Sequence, residues 1–158
     1  MTVNITVLAV GKLKEKFWVD ACAEYLKRLR AYANVTIKEV GDVDPAKAGG
    51  VSGALQKEAT ALLTAIPARS YMILLAIKGK ERSSEQLSAH LDAFALKGTS
   101  DFVFVIGGSE GVHETVIERA DETLSFGPLT LPHNLARVVL LEQLYRAFKI
   151  SKKEPYHK

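Results

Sequence analysis

The stretch DFVFVIGGSEGV, residues 101–112, carries five apolar residues, Phe102 to Ile106, straight into Gly107 and Gly108, then Ser109, Glu110 and Gly111. An unbroken apolar run of that length is what a strand covered on both faces requires, as in a parallel sheet. The glycines end it in a tight strand-to-helix turn whose backbone stays accessible. Working back along the chain, YMILLAI (Tyr71–Ile77) is a second such run, closed by Gly79, and Val3–Val10 is a β-branched run closed by Gly11. Parallel neighbours need crossover connections, so helices are expected between these strands.

The periodicity supplies them. A helix is expected from about Lys14 to Ala31, with Phe17, Trp18, Ala21, Tyr25 and Leu29 on one face, followed by a strand over Asn34–Val40. GDVDPAKAGG (41–50) reads as a loop and Val51–Ala65 as a helix. Ser83 and Gln86 have capping-box spacing and open a helix to about Leu96, with Leu87, Leu91 and Phe94 inward. A short helix over His113–Ala120, a strand over Glu122–Phe126 and a long helix over His133–Ile150 complete five βα units. That order predicts one α/β domain over residues 1–158, a mostly parallel sheet with helices on both faces. In such sheets ligands gather beyond the carboxyl ends of the strands, here Leu75–Lys80, Gly107–Gly111 and Phe126–Leu131.

Several chemistries are poorly supported. GGSEG lacks the G-x-G-x-x-G spacing of a dinucleotide fingerprint, and Gly79-Lys80 is not a P-loop. Cys22 is the only cysteine and falls at helical spacing with Trp18, Tyr25 and Leu29, which suits a small core residue. His90, His113, His133 and His157 are far apart, so no metal site is expected. No apolar run reaches the ~18 residues of a membrane span. The first charges follow the first apolar segment, the reverse of a signal peptide, so a cytoplasmic, unprocessed protein is expected. Glu110 would repel an anion at the glycine turn, so a neutral or cationic ligand fits it better.

The net charge of +3 is mild, but its distribution is uneven. Lys12, Lys14 and Lys16 form one basic cluster. Arg146, Lys149, Lys152, Lys153 and Lys158 form another beside Tyr145, Phe148, Tyr156 and His157, a mixture suited to phosphate contact and base stacking. Lysines at a solvated helix end would look similar. The last helix carries its polar stripe at Glu142, Arg146 and Lys149 and is apolar almost all round, which predicts burial against a twin subunit. Arg137 lies among apolar neighbours and needs a carboxylate, carbonyl or ligand partner.

FVFVIGGSEGV, LSFGPLTLPHNLARVVLLEQLYRAFKI, the closing PYHK and the opening ITVLAVGKLKEKFW together resemble the RlmH family of SPOUT methyltransferases, over nearly the whole chain. The resemblance implies an α/β trefoil knot in the C-terminal part and a homodimer that binds S-adenosyl-L-methionine (SAM) in the knot. It implies methylation at N3 of a pseudouridine in the helix-69 loop of 23S rRNA, on the assembled ribosome. Carried over by position, the cofactor site comprises Leu75, Gly107, Phe126, Gly127, Pro128, Leu129, Thr130 and Leu131. Arg146, Tyr156 and His157 are the candidates for substrate handling, the tail of one subunit completing the site of the other. His157 alone among them has an ordinary pKa, about 6.5, near neutrality. A non-catalytic RNA-binding factor would not bind SAM, and a small-molecule enzyme would ignore ribosomes; those two assays separate the readings.

Overall fold

The computed structural model describes residues 2–158. Its elements follow the expected order: β1 (Val3–Val10), α1 (Lys16–Leu29), β2 (Ala33–Val40), a single 3-10 turn over Pro45–Lys47, α2 (Val51–Ala65), β3 (Tyr71–Glu81), α3 (Ser84–Leu96), β4 (Asp101–Ile106), α4 (Glu114–Arg119), β5 (Glu122–Ser125) and α5 (His133–Ser151). The strands form one sheet in the order β2-β1-β4-β3-β5, parallel throughout. The DFVFVI run is the central strand, and every residue from Phe102 to Ile106 is buried. Its alternate side chains feed two cores. Phe102, Phe104 and Ile106 join the layer holding α1, α3 and α5; Val103 and Val105 join the layer with Ala59, Leu62 and Val116 of α2 and α4.

Two expectations need correction. β3 does not stop before Gly79. It leaves β5 after Leu75, bulges, and rejoins it at Lys80, so that Leu75 and Lys80 both face Leu124. Gly79 permits this because a Cβ there would sit 2.9 Å from Cβ of Thr123. On α1, Phe17 faces water (64% exposed) while Cys22 and Leu29 are buried, so the inward face begins one residue later than expected. Burial also pushes the Cys22 thiol upward, against the nearby Arg137 charge.

α5 lies in a groove between α1 and α3 on top of the sheet. Arg137, Leu140, Leu141, Leu144 and Ala147 are buried there, while Leu135, Val138, Val139 and Phe148 stay partly exposed. Arg137 is 1% exposed and donates to Oε2 of Glu39 (2.6 Å) and to the carbonyl of Gly11 (3.2 Å). It is a structural tie between α5 and the ends of β1 and β2.

Candidate active site

The carboxyl ends of β4, β3 and β5 bring the expected segments to one edge of the sheet. Leu75 is half-buried on the core and pairs with Leu124 in the β3–β5 ladder, two residues before Phe126 opens the 126–131 loop. That loop is launched by Ser125, a buried residue the sequence reading passed over. Its hydroxyl donates to the carbonyl of Ile77 (2.7 Å) and accepts the Gly127 N–H (3.0 Å), stitching the loop to the β3 bulge. Gly127 has φ +103°, a conformation L side chains rarely adopt, with open space where a Cβ would point. Pro128, Leu129 and Thr130 are exposed, and Phe126 and Leu131 half-buried.

Gly107 is also constrained by its own turn. A Cβ there would lie 2.6 Å from the Val112 side chain and 3.0 Å from the Gly111 carbonyl. The turn closes on itself, with the Gly111 N–H donating to the Gly108 carbonyl (3.1 Å) and φ +87° at Gly111. Gly107 is small so that its own turn can fold back over it.

Phe126 and Gly127 form one wall of a cleft of about 380 Å³, within the ~300–1,000 Å³ typical of small-molecule sites. Arg82, Ser84, Ser125 and Gln143 give it polar walls, Leu87 and Val139 an apolar floor. The cleft, the open backbone at Gly127 and the mixed lining fit a nucleoside-bearing ligand. Ser83 caps α3 at this rim through the expected capping box, accepting from Gln86 N–H (3.0 Å) while Gln86 Oε1 accepts from Ser83 N–H (2.8 Å).

The structure brings Arg146, Tyr156 and His157 together, next to this rim and within the same chain. α5 ends in a Schellman turn: Glu154 N–H donates to the Lys149 carbonyl (2.9 Å), Lys153 N–H to the Ile150 carbonyl (3.0 Å), and Lys153 has φ +56°. The tail therefore doubles back along α5, rather than reaching away from the cleft. Glu154 accepts from Tyr32 (2.9 Å) and Lys149 (3.0 Å), pinning the turn. Glu142, which the sequence reading saw only as part of a polar stripe, is the hub. It accepts from Arg146 Nε (2.8 Å) through one oxygen and from the Tyr156 hydroxyl (2.9 Å) through the other. The Arg146 guanidinium also lies over the Tyr156 ring, 4.6 Å from its centroid.

His157 sits between Arg146 Nη1, 3.2 Å from its Nδ1, and Glu85, whose carboxylate contacts its Nε2. Guanidinium can only donate, so Nδ1 must be the bare acceptor and Nε2 the protonated nitrogen; the network assigns the tautomer. The basic nitrogen is thus occupied by Arg146. Burial, then the Glu142 contact, raises the Tyr156 pKa, so its phenol stays protonated at neutral pH. As it stands, the Tyr156 and His157 protons are taken by Glu142 and Glu85, and the guanidinium of Arg146 alone in the cluster keeps side-chain N–H groups free to donate. Lys152, Lys153 and Lys158 are exposed around it.

A family model described as "Predicted SPOUT methyltransferase" matches residues 3–157. The chain belongs to the SPOUT methyltransferase family. A Listeria welshimeri protein named Ribosomal RNA large subunit methyltransferase H is 52% identical over 158 residues, covering 98% of this chain and 99% of its own. A Pelotomaculum thermopropionicum protein of the same name is 49% identical, with 98% of each chain covered. Among solved structures, a probable methyltransferase from Bordetella pertussis Tohama I superposes with a TM-score of 0.55 at 11% identity, covering 92% of this chain and 94% of that one. A probable methylase family protein from Haemophilus influenzae Rd KW20 gives 0.54 at 11% identity, over 99% of this chain and 70% of the other; both support the fold. No helix among the described residues is long and apolar enough to cross a membrane, and no group of them could hold a metal ion.

Proposed function

We propose that this methyltransferase acts on large-subunit ribosomal RNA, transferring a methyl group from SAM to N3 of a pseudouridine in the helix-69 loop of the assembled ribosome. The observation that carries the reading is the match, over 98% of the chain, to proteins bearing that rRNA methyltransferase name. The geometry supports it: a nucleoside-sized cleft behind the 126–131 loop, flanked by the Arg146 guanidinium and surrounded by exposed lysines. Leu75, Gly127 and the backbone of Phe126 to Leu131 hold the cofactor, with Gly107 shaping the adjoining turn. When bound, SAM supplies an electrophilic methyl group on a sulfonium. Two further features belong to the same reading: a homodimer in which the tail of one subunit serves the site of the other, and a trefoil knot in the C-terminal part.

For the ring nitrogen to take the methyl group that SAM would supply, the N3 proton must leave to a base or to water. Arg146, held by Glu142, would present its remaining N–H groups to the uracil carbonyls, while Tyr156, whose own proton goes to Glu142, supports the guanidinium with its ring; most of the acceleration would come from alignment. His157 accepts a proton at Nδ1 only after Arg146 swings from it onto the substrate. Tritium transfer from SAM to ribosomes, compared with naked RNA, tests the reading. Label in ribosomes alone is expected, and label in neither substrate overturns it.

A further inference from the structure

The other basic cluster, Lys12 and Lys14 of the β1–α1 loop and Lys16 at the start of α1, lies at the same carboxyl edge as the candidate site. β1 is the direct neighbour of β4, with Ala9 opposite Ile106, so this loop adjoins the glycine turn. A Cβ on Gly11 would meet the His133 ring at 3.2 Å, so the loop also abuts the first residue of α5, two positions after the 126–131 segment.

The loop is unusually well anchored. Arg137 holds the Gly11 carbonyl, Glu39 Oε2 accepts both Arg137 Nη1 and the Leu13 N–H (3.2 Å), and Leu13 packs on the core. With Leu13 turned inward, Lys12 and Lys14 on either side of it are exposed. Neither has an ion-pair partner among the described residues. Lys16 pairs only with Asp20 on the open surface (2.6 Å), a contact that water and salt weaken. The nearby acids are Glu15, which is exposed, Asp20, and Glu39, which Arg137 already occupies. Beside the lysines, Phe17 exposes 64% of its surface, its ring tilted against Trp18 with centroids 4.9 Å apart. This ring, in the first turn of α1, is held in water beside the unpaired Lys12 and Lys14, its one ring neighbour being Trp18. Together they have the composition of a stacking platform for bases with cations for the connecting phosphates.

We infer that the β1–α1 loop and the first turn of α1, through Lys12, Lys14, Lys16 and the exposed Phe17 ring, are a second contact for single-stranded RNA, separate from the tail. This rests on the RNA reading above, but its test does not depend on methyl transfer. Binding of a fluorescein-labelled oligouridylate of about twelve nucleotides is followed by anisotropy over a salt series. The double variant Lys12→Ala/Lys14→Ala should bind several-fold more weakly at low salt, with the slope of log affinity against log salt shallower by about 1.4. Phe17→Ala should weaken binding about tenfold without changing the slope, and Phe17→Tyr should restore it. All variants should bind SAM like the parent and sediment with the same mass. Unchanged oligonucleotide affinity in folded variants overturns the inference. So does a change of sedimenting mass, which would make the patch a self-association face. Loss of oligonucleotide binding in the variants, with a parent that labels no ribosome, would preserve this contact and remove the ribosomal substrate instead.

Discussion

Arg137 shows what a single residue can hold. Burial pushes the Glu39 carboxyl up, but the Arg137 guanidinium, the Leu13 N–H and the Lys12 charge more than offset that, and the group is held below the usual carboxylate range. Arg137→Ala would strip the partner from Glu39 and from the Gly11 carbonyl together. Breaking a buried pair costs ~3–5 kcal/mol, and since Glu39 keeps a 32% exposed side chain the lower end, about 3 kcal/mol by urea unfolding, is expected. A carboxylate with a depressed folded pKa contributes stability that is present above its unfolded pKa and lost as pH falls through the folded one. The parent should therefore lose more stability than Glu39→Gln between about pH 6 and about pH 3.

Gly107 is the second residue of this kind. Gly107→Ala drives a methyl group into Val112 and the Gly111 carbonyl, so it should destabilise by ~1–3 kcal/mol through overpacking. Val112→Ala in the same chain should return only part of that, because the carbonyl at 3.0 Å cannot be trimmed. Full recovery in thermal melts would mean that the side chain alone was the obstacle.

Among the elements, α5 and its tail bear most directly on function. Lys153 occupies the left-handed position that helix C-termini usually give to glycine. Lys153→Gly should relieve about 1 kcal/mol of local strain, tightening the turn that returns Tyr156 and His157 to Glu142 and Glu85. The gain would register as slower amide exchange over residues 152–157. Deleting Pro155 to Lys158 has the opposite effect. It removes the Tyr156 and His157 contacts but leaves the 126–131 loop and the Ser125 stitch untouched. SAM affinity by calorimetry should change less than threefold, while methyl transfer to ribosomes falls at least a hundredfold, on the ~10²–10⁴-fold scale of positioned donors and bases. Unchanged turnover would reduce the tail to a solvated helix end.

At the scale of the whole molecule, a shared active site requires two copies of the chain. With α5 seated between α1 and α3, the apolar surface left for a partner includes the partly exposed Leu135, Val138, Val139 and Phe148 of α5. Sedimentation equilibrium at micromolar concentration should give twice the chain mass. A monomer with full transferase activity would show that each chain's own tail, packed on its own α3, suffices.

The order of elements, the parallel sheet and the two-layer core were legible in the sequence, because burial on both faces writes long apolar runs and amphipathic helices write a 3.6-residue period. Of the segments named from the strand ends, only Phe126 and Gly127 line the cleft; its other walls come from the β3–α3 connection, α3, β5 and α5. Other features depend on contacts between residues far apart in the chain, which no local period encodes. Arg137 meets Glu39 across 98 positions, His157 meets Glu85 across 72, and the Ser125 hydroxyl meets the Ile77 carbonyl across 48. The return of β3 at Lys80 and the seating of α5 between α1 and α3 are of this kind too. So is the reason for Gly107: its turn-mate Val112 fills the space that a side chain would need, and only the folded turn brings that atom there.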